Sequence, residues 1–244
     1  MEHSDCLWPG GPRFFYDDTL FPPGTDSFLL SAFPRLKPGD RVCDLGAGTG
    51  LLGLLLLQRQ GDLRVEGIEI QPQAVALAEK TMAANGLTAQ CAVRPGDLRQ
   101  VRDLPATGRF DLVVCNPPYF LPGSGALSEN PARQTARSEM GCTLEAVCAA
   151  AARLLRWGGG FCLVHKPERL TDLLCALRQA GMEPKRLRFV CKRSDAAPSL
   201  LLLEGRRGGK PGLHIAPPLL LQNPDGSATA EVDAIYFRTK EHTP

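Results

Sequence analysis

At 244 residues the chain can bury one full hydrophobic core, and its length suggests one domain or two. Charged residues make up 22% and apolar residues 43%, an ordinary balance for a soluble globular protein, and the longest apolar run, Leu51 to Leu57 with Gly53 inside it, is far too short to span a bilayer. Net charge is only +2, and the N-terminal stretch with Glu2, Asp5, Asp17 and Asp18 lacks the basic start and apolar run of a signal peptide, so a cytoplasmic protein is expected. The nine cysteines show no C-x-x-C spacing and the histidines (His3, His165, His214, His242) are scattered, so no metal site is expected. Cys43, Cys115, Cys162 and Cys191 fall in apolar strand-like runs and are read as reduced core residues.

The first forty residues hold an irregular segment, RFFYDDTLFPPGTDSFLLSAF, with a short helix predicted from Asp26 to Phe33. From there, strand-like and helix-like stretches alternate, the pattern of an α/β fold with a mostly parallel sheet and helices on both faces. Seven strands are predicted: Arg41 to Leu45, Arg64 to Ile70, Gln90 to Arg94, Phe110 to Cys115, Gly160 to His165, Arg186 to Cys191 and Ser199 to Glu204. Helices are predicted over Leu51 to Gln60, Pro72 to Asn85, Thr143 to Arg156 and Glu168 to Ala180, with Pro72 in a first turn and Gly86 and Gly158 as stops. The tail, GRRGGKPGLHIAPPLLLQNPDGSATAEV, is rich in Gly and Pro, and neither flank has enough periodic apolar residues for a second core. Basic residues concentrate at Lys185, Arg186, Arg188, Lys192, Arg193, Arg206, Arg207 and Lys210, which fits either a solvated strand face or an anion-binding one.

Four short signals fall at strand ends. Asp44 to Gly50, DLGAGTG, follows the first core strand, where glycines let the backbone turn sharply and approach a ligand. Gly48 to Gly53 also fits G-x-G-x-x-G, so a nicotinamide dinucleotide stays open. Glu69, ending the second strand, can accept hydrogen bonds from both hydroxyls of a ribose in either kind of adenosine cofactor. Pro95-Gly96-Asp97-Leu98 places an acid that can face an adenine amino group and a leucine that can cover the ring, although an acid after Gly is also a routine turn residue. Asn116-Pro117-Pro118-Tyr119 closes the fourth strand with stiff, polar residues where a plain turn would suffice.

DLGAGTG, Glu69, PGDL and CNPPYF together resemble a class I S-adenosylmethionine-dependent methyltransferase, a Rossmann-like fold, of the kind that modifies amino groups. The flanks FFYDDTLFPPGTDSFLLSAF, ARSEMGCTLE and GRRGGKPGLHIAPPLLL resemble the bacterial tRNA(Val) adenine-N6-methyltransferase family, especially its Gram-positive branch. The chain departs from that family's common pattern at Ser138, where Ala-Arg-His-Glu is frequent, and at Arg13-Phe14-Phe15, where glutamine-containing variants are common. The resemblance implies one methyltransferase domain: a lid segment over 1–39, a catalytic core over 40–205 and a tail over 206–244 packed on it.

It also implies roles. Asp44 with Gly46, Ala47, Gly48 and Gly50 would hold the amino-acid end of S-adenosylmethionine, Glu69 and Ile70 its ribose, and Asp97 and Leu98 its adenine, with Asp26 and Asn116 also at the cofactor. Asn116, Pro117 and Tyr119 would be catalytic. An aromatic amino nitrogen is a poor nucleophile because its lone pair is delocalised. An amide oxygen and a proline-fixed backbone carbonyl that accept its hydrogens favour the pyramidal form and stabilise the charge that develops. Tyr119 and Phe120 would stack on the extruded base, Phe14, Phe15, Asp26 and the loop around Arg137 would close over the site, and Arg206, Arg207 and Lys210 would meet RNA phosphates. The expected partner is tRNA, with no membrane.

The same motif serves glutamine methyltransferases acting on release factors, usually with a larger preceding domain, as well as rRNA guanine and DNA adenine methyltransferases. Outside that class stand a nicotinamide oxidoreductase, for which no tyrosine-lysine or histidine-carboxylate pair is placed, and a noncatalytic RNA-binding protein, against which an intact Asn116 and Tyr119 argue.

Overall fold

The computed structural model describes residues 1–20, 24–117, 119 and 142–238. Strands β1 (Glu2–Cys6) and β2 (Arg13–Asp17) form an antiparallel hairpin, followed by helix α1 (Thr25–Ser31). The alternating core comprises β3 (Arg41–Leu45), α2 (Leu51–Arg59), β4 (Arg64–Glu69), α3 (Pro72–Ala84), β5 (Cys91–Pro95), β6 (Phe110–Cys115), α4 (Leu144–Leu154), β7 (Leu155–His165), α5 (Leu170–Gln179), β8 (Met182–Cys191) and β9 (Pro198–Arg207). The tail adds two dipeptide strands, β10 (His214–Ile215) and β11 (Leu219–Leu220), and helix α6 (Ala230–Ile235).

The main sheet runs β10-β8-β9-β7-β6-β3-β4-β5, with β11 also paired to β8. Among the described strands of this sheet, only β9 is antiparallel to both of its neighbours. Because the central strands are buried on both faces, their side chains alternate between two cores. In β6, Leu112 and Val114 face a core shared with α1, α2 and α6, while Val113 and Cys115 face one shared with α4 and α5. All parallel core strands end on one edge, which carries Leu45, Glu69, Pro95, Cys115 and His165. Ligands of open α/β sheets bind at that edge.

The structure extends the sequence reading in four places. The N-terminal flank is a hairpin rather than irregular chain; it lies along α3, where the Phe15 amide donates to Thr81 Oγ1 (3.1 Å) and the Arg13 amide to Asn85 Oδ1 (2.9 Å). Among the described residues the sheet has nine strands rather than seven, because the tail lays two dipeptides along the outer edge of β8, and pairings that short leave no periodic signal. The tail also contains α6, capped by Thr229 and tied to α1 and α2 by Arg59, whose Nη2 donates to Ile235 O (2.7 Å) and Nε to Ser31 Oγ (2.9 Å). Gly158 is not a helix stop: α4 ends at Leu154 and the chain enters β7 directly, with Gly158 inside the strand at φ 78°, where the pairing with β6 shifts register between Leu155 and Gly160. Cys43, Cys115, Cys162 and Cys191 are buried and free. No helix among the described residues is long and apolar enough to cross a membrane.

Gly67 in β4 marks the tightest packing near the ligand edge, since a Cβ there would come within 2.7 Å of Ala47 Cβ and 2.8 Å of Val93 Cγ2. Gly67→Ala should therefore lower stability by roughly 1–3 kcal/mol through overpacking. Urea unfolding checks this: a lower midpoint at unchanged slope is expected, and an unchanged midpoint would mean that the strand relaxes without cost.

Candidate active site

The turn after β3 supplies backbone rather than side chains. Gly46 (φ 72°) and Gly48 (φ 53°) adopt left-handed conformations, and a Cβ at either would meet nothing within 4 Å, so the peptide faces open space. The amides of Gly46 and Ala47 donate to Ile68 O (2.9 and 3.0 Å), which fastens the turn to β4. The Gly48 amide donates to Glu69 Oε2 and the Gln71 amide to Glu69 Oε1, each at 2.8 Å. Glu69 thus joins two strand ends, and each oxygen keeps a lone pair for a ligand hydroxyl. Its carboxyl is pushed up by burial, with the amides of Gln71 and Gly48 opposing the shift.

Asp44 is 2% exposed, and its Oδ2 has no hydrogen-bond partner among the described residues. Burial, and then the neighbouring Glu69 charge, push its pKa up to about 7, against the pull of the Gly53 amide. Across the cavity, Ile70 is 37% exposed at the end of β4 and Leu98 follows β5. The carboxylate of Asp97 is engaged by Arg99: Nε lies 2.8 Å from Oδ1, Nη2 2.8 Å from Oδ2, and the Arg99 amide donates to Oδ1 at 2.9 Å. The side-chain bond to Arg99 is the main cause that lowers its pKa.

Strand β6 delivers Asn116 and Pro117 beside this turn, and α1 meets them from the other side. Asn116 Nδ2 donates to Ser27 Oγ (3.1 Å), which turns the amide oxygen toward Tyr119, whose hydroxyl lies 3.1 Å from Oδ1. The same hydroxyl donates to Asp26 Oδ2 at 2.6 Å. Burial first, and then the bond to Asp26, raise the Tyr119 pKa well above the usual phenol range, so it remains a donor. Behind Tyr119, the His165 ring meets it edge-on at 5.1 Å, and the Lys166 ammonium lies 5.3 Å from the ring centroid. His165 is buried and accepts the Lys166 amide on Nδ1 (2.8 Å); burial drops its pKa to about 4, so it is neutral at physiological pH.

Asp26, Asp44, Gly46, Ala47, Gly48, Glu69, Ile70, Asp97, Leu98, Asn116, Pro117 and Tyr119 line one cavity of about 400 Å³. Gly50 does not; it caps α2 at φ 82°, and a Cβ there would press on Ala78 and Met82, so its smallness serves the packing of α2 on α3. Phe14 and Phe15 also stay away from the cavity. Phe14 is 1% exposed in the core, and both lie on the part of the hairpin bound to the C-terminal half of α3, far from the ligand edge. Arg206, Arg207 and Lys210 lie at the opposite edge of the sheet, because β9 runs antiparallel and pairs Arg206 with Gly160 while Leu201 pairs with His165. Phe120 and Arg137 lie outside the described residues. Ser27, Arg99, His165 and Lys166 carry no motif in the sequence; Ser27 follows Asp26 in GTDSF, His165 ends a strand and Lys166 follows it, and only strand-end position hints at a role. Among the described residues no cluster of His, Cys, Asp or Glu suits a metal.

A sheet of this order, with a glycine-turned cavity at its carboxyl edge and an Asn-Pro turn on the adjacent strand, defines a class I methyltransferase. Residues 21–174 match the model of the methyltransferase small domain. The chain is 35% identical over 217 residues to the tRNA1(Val) (adenine(37)-N6)-methyltransferase of Dickeya chrysanthemi, covering 86% of this chain and 84% of that one. It is 32% identical over 219 residues to its counterpart in Cronobacter sakazakii, covering 87% and 86%. The chain belongs to the tRNA1(Val) (adenine(37)-N6)-methyltransferase family. Among solved structures, a predicted O-methyltransferase of Agrobacterium tumefaciens superposes with a TM-score of 0.73 at 19% identity, over 87% of this chain and 96% of that one, a likeness of fold.

The buried Asp44 has a consequence for stability. Its folded pKa is raised from the ordinary 3.8 to about 7, so between those values the folded state holds a proton that the unfolded state has lost, and stability falls as pH rises through that window. In the ligand-free protein this group should make unfolding roughly 1–2 kcal/mol more costly at pH 5.5 than at pH 7.5. Denaturation at the two pH values checks it. Asp44→Asn should flatten the dependence, and an unchanged slope in that variant would assign it to another group.

Proposed function

We propose that the protein transfers a methyl group from S-adenosylmethionine to N6 of an adenosine in tRNA, the one 3′-adjacent to the anticodon of a valine tRNA. The observation that carries this reading is the meeting of Asn116 with the glycine turn in one cavity, in a chain of this family. The residues present fit the cofactor: the unpartnered Asp44 oxygen suits an ammonium, Glu69 has lone pairs for two ribose hydroxyls, and the open space at Gly46 and Gly48 admits a ligand against bare peptide. Ile70 and Leu98 would flank the adenine. Asp97 would accept its amino group after giving up one guanidinium N–H of Arg99 in this partly exposed pair.

When bound, S-adenosylmethionine supplies an electrophilic sulfonium methyl. Asn116 Oδ1 and the Pro117 carbonyl accept the hydrogens of the target amino group, hold its lone pair toward the transferring methyl and stabilise the positive charge that appears on nitrogen. Ser27 orients the Asn116 amide so that oxygen, not nitrogen, is offered. No strong base is required, because the methylated ammonium is acidic enough to lose its proton to these acceptors or to water. Tyr119 stacks on the extruded base, with His165 packed behind it. Residues 1–39, the core and the tail act as one unit, with α1 contributing Asp26 and Ser27. A tRNA substrate supports a cytoplasmic location.

Asn116→Ala should lower kcat by about 10²–10³-fold, the scale for removing one preorganised partner of a developing charge, with cofactor affinity within a few-fold of wild type. Tyr119→Phe keeps the stacking face and should retain most activity, whereas Tyr119→Ala should raise KM for tRNA by roughly tenfold. Steady-state kinetics on tRNA with nucleoside quantification reads all three, and wild-type turnover in Asn116→Ala would refute the assignment.

A further inference from the structure

The basic residues between Lys185 and Lys210 form one cluster in sequence but two in space. Arg206 and Arg207 end β9 and Lys210 follows it at the edge opposite the cavity, with Arg206 about 17 Å of strand away from the level of His165. Lys192 and Arg193 lie in the β8–β9 turn, on the cavity's own edge. Leu201 pairs with His165, whereas Pro198, three residues earlier, pairs with Cys191, so this turn rises about 10 Å above the edge where β7 stops. It forms a wall beside the cavity, three strand spacings from β6, about 14 Å.

Lys166 stands between that wall and the Asn-Pro turn. It is exposed, follows directly on β7, and its ammonium rests against the Tyr119 ring. Among the described residues no carboxylate pairs with Lys166 or with Lys192, whereas Arg193 is occupied by Asp195 at 3.2 Å. A cation beside the ring that is to receive a base is within reach of that nucleotide's own phosphate, and its flexible four-carbon stem lets the ammonium follow it.

We infer that Lys166 and Lys192 form the path of the RNA backbone, so that the strand leading from the extruded adenosine runs over the ends of β7, β9 and β8, and the Arg206 to Lys210 cluster takes no part. Lys166 meets a phosphate next to the target nucleotide and Lys192 one a few nucleotides away. This surface rests on the tRNA reading above. It fits a polyanion of regular charge spacing, and phosphate contacts of this kind position a substrate without reading sequence.

The experiment measures tRNA affinity against salt for wild type, Lys166→Ala/Lys192→Ala and, as a comparison, Arg206→Ala/Lys210→Ala. Each lost phosphate contact removes roughly 0.7–0.9 from the slope of log affinity against log salt. The first variant should lose about 1.5 from the slope and bind about tenfold more weakly at physiological salt, with S-adenosylmethionine affinity unchanged and Lys166→Arg restoring most of the single-site loss. The second variant should match wild type. A first variant that methylates tRNA with an undiminished slope, or a loss confined to the second, overturns the path while leaving the reaction intact. Wild-type protein that neither binds nor methylates tRNA would bring down the proposed function and this surface together.

Discussion

Leu45 and Cys115 stand opposite each other in neighbouring parallel strands, and that register determines the site. One residue beyond each, the chain turns: at Gly46 into a loop that exposes peptide, and at Asn116 into one that exposes an amide. Parallel pairing brings both turns to the same edge at one strand spacing, which puts the proposed cofactor cradle and acceptor residues side by side. Glu69, at the end of the next strand over, completes the line and is bonded to the Gly48 amide.

The electrostatic character of the cavity follows from this placement. Two carboxylates are buried at adjacent strand ends, and of these Asp44 keeps an oxygen without a partner. Burial of that kind costs stability in the free protein and is offset when a cationic group arrives, so the strain of the ligand-free state becomes affinity. On the opposite wall Tyr119 donates to Asp26 and Asn116 Nδ2 donates to Ser27, which joins α1 to the end of β6, while the Tyr119 hydroxyl lies 3.1 Å from Asn116 Oδ1 with its proton already given to Asp26. In the proposed reaction the substrate base would bring its amino group to Asn116 Oδ1, which the Tyr119 hydroxyl, having donated to Asp26, leaves able to accept.

Much of this was legible in the sequence because it depends on local rules. Glycines that need positive φ, an acid at a strand end and a proline turn are recognisable without tertiary information, and the strand and helix alternation places them on one edge. What escaped depends on pairing at a distance. The dipeptide strands of the tail have no periodicity of their own and exist because β8 has an open edge. Phe14 reads as an aromatic free to cover a base, but hydrogen bonds from the hairpin backbone to Thr81 and Asn85 turn it into the core. The basic run after Lys185 looks continuous until the antiparallel β9 carries its second half to the far edge. Gly50 completes a glycine motif on paper, yet its contacts with Ala78 and Met82 show a packing requirement. Gly53, the last glycine of the dinucleotide-like spacing, likewise faces Cys91 and Val65 rather than the cavity.

The most direct test of the central claim is to incubate the purified protein with labelled S-adenosylmethionine and an unmodified valine tRNA transcript, then map the product by nuclease fragmentation and nucleoside identification. N6-methyladenosine at the nucleotide following the anticodon is the predicted result. Label in another nucleotide, in a protein glutamine or in no acceptor at all would contradict the assignment of this cavity to an adenosine of tRNA.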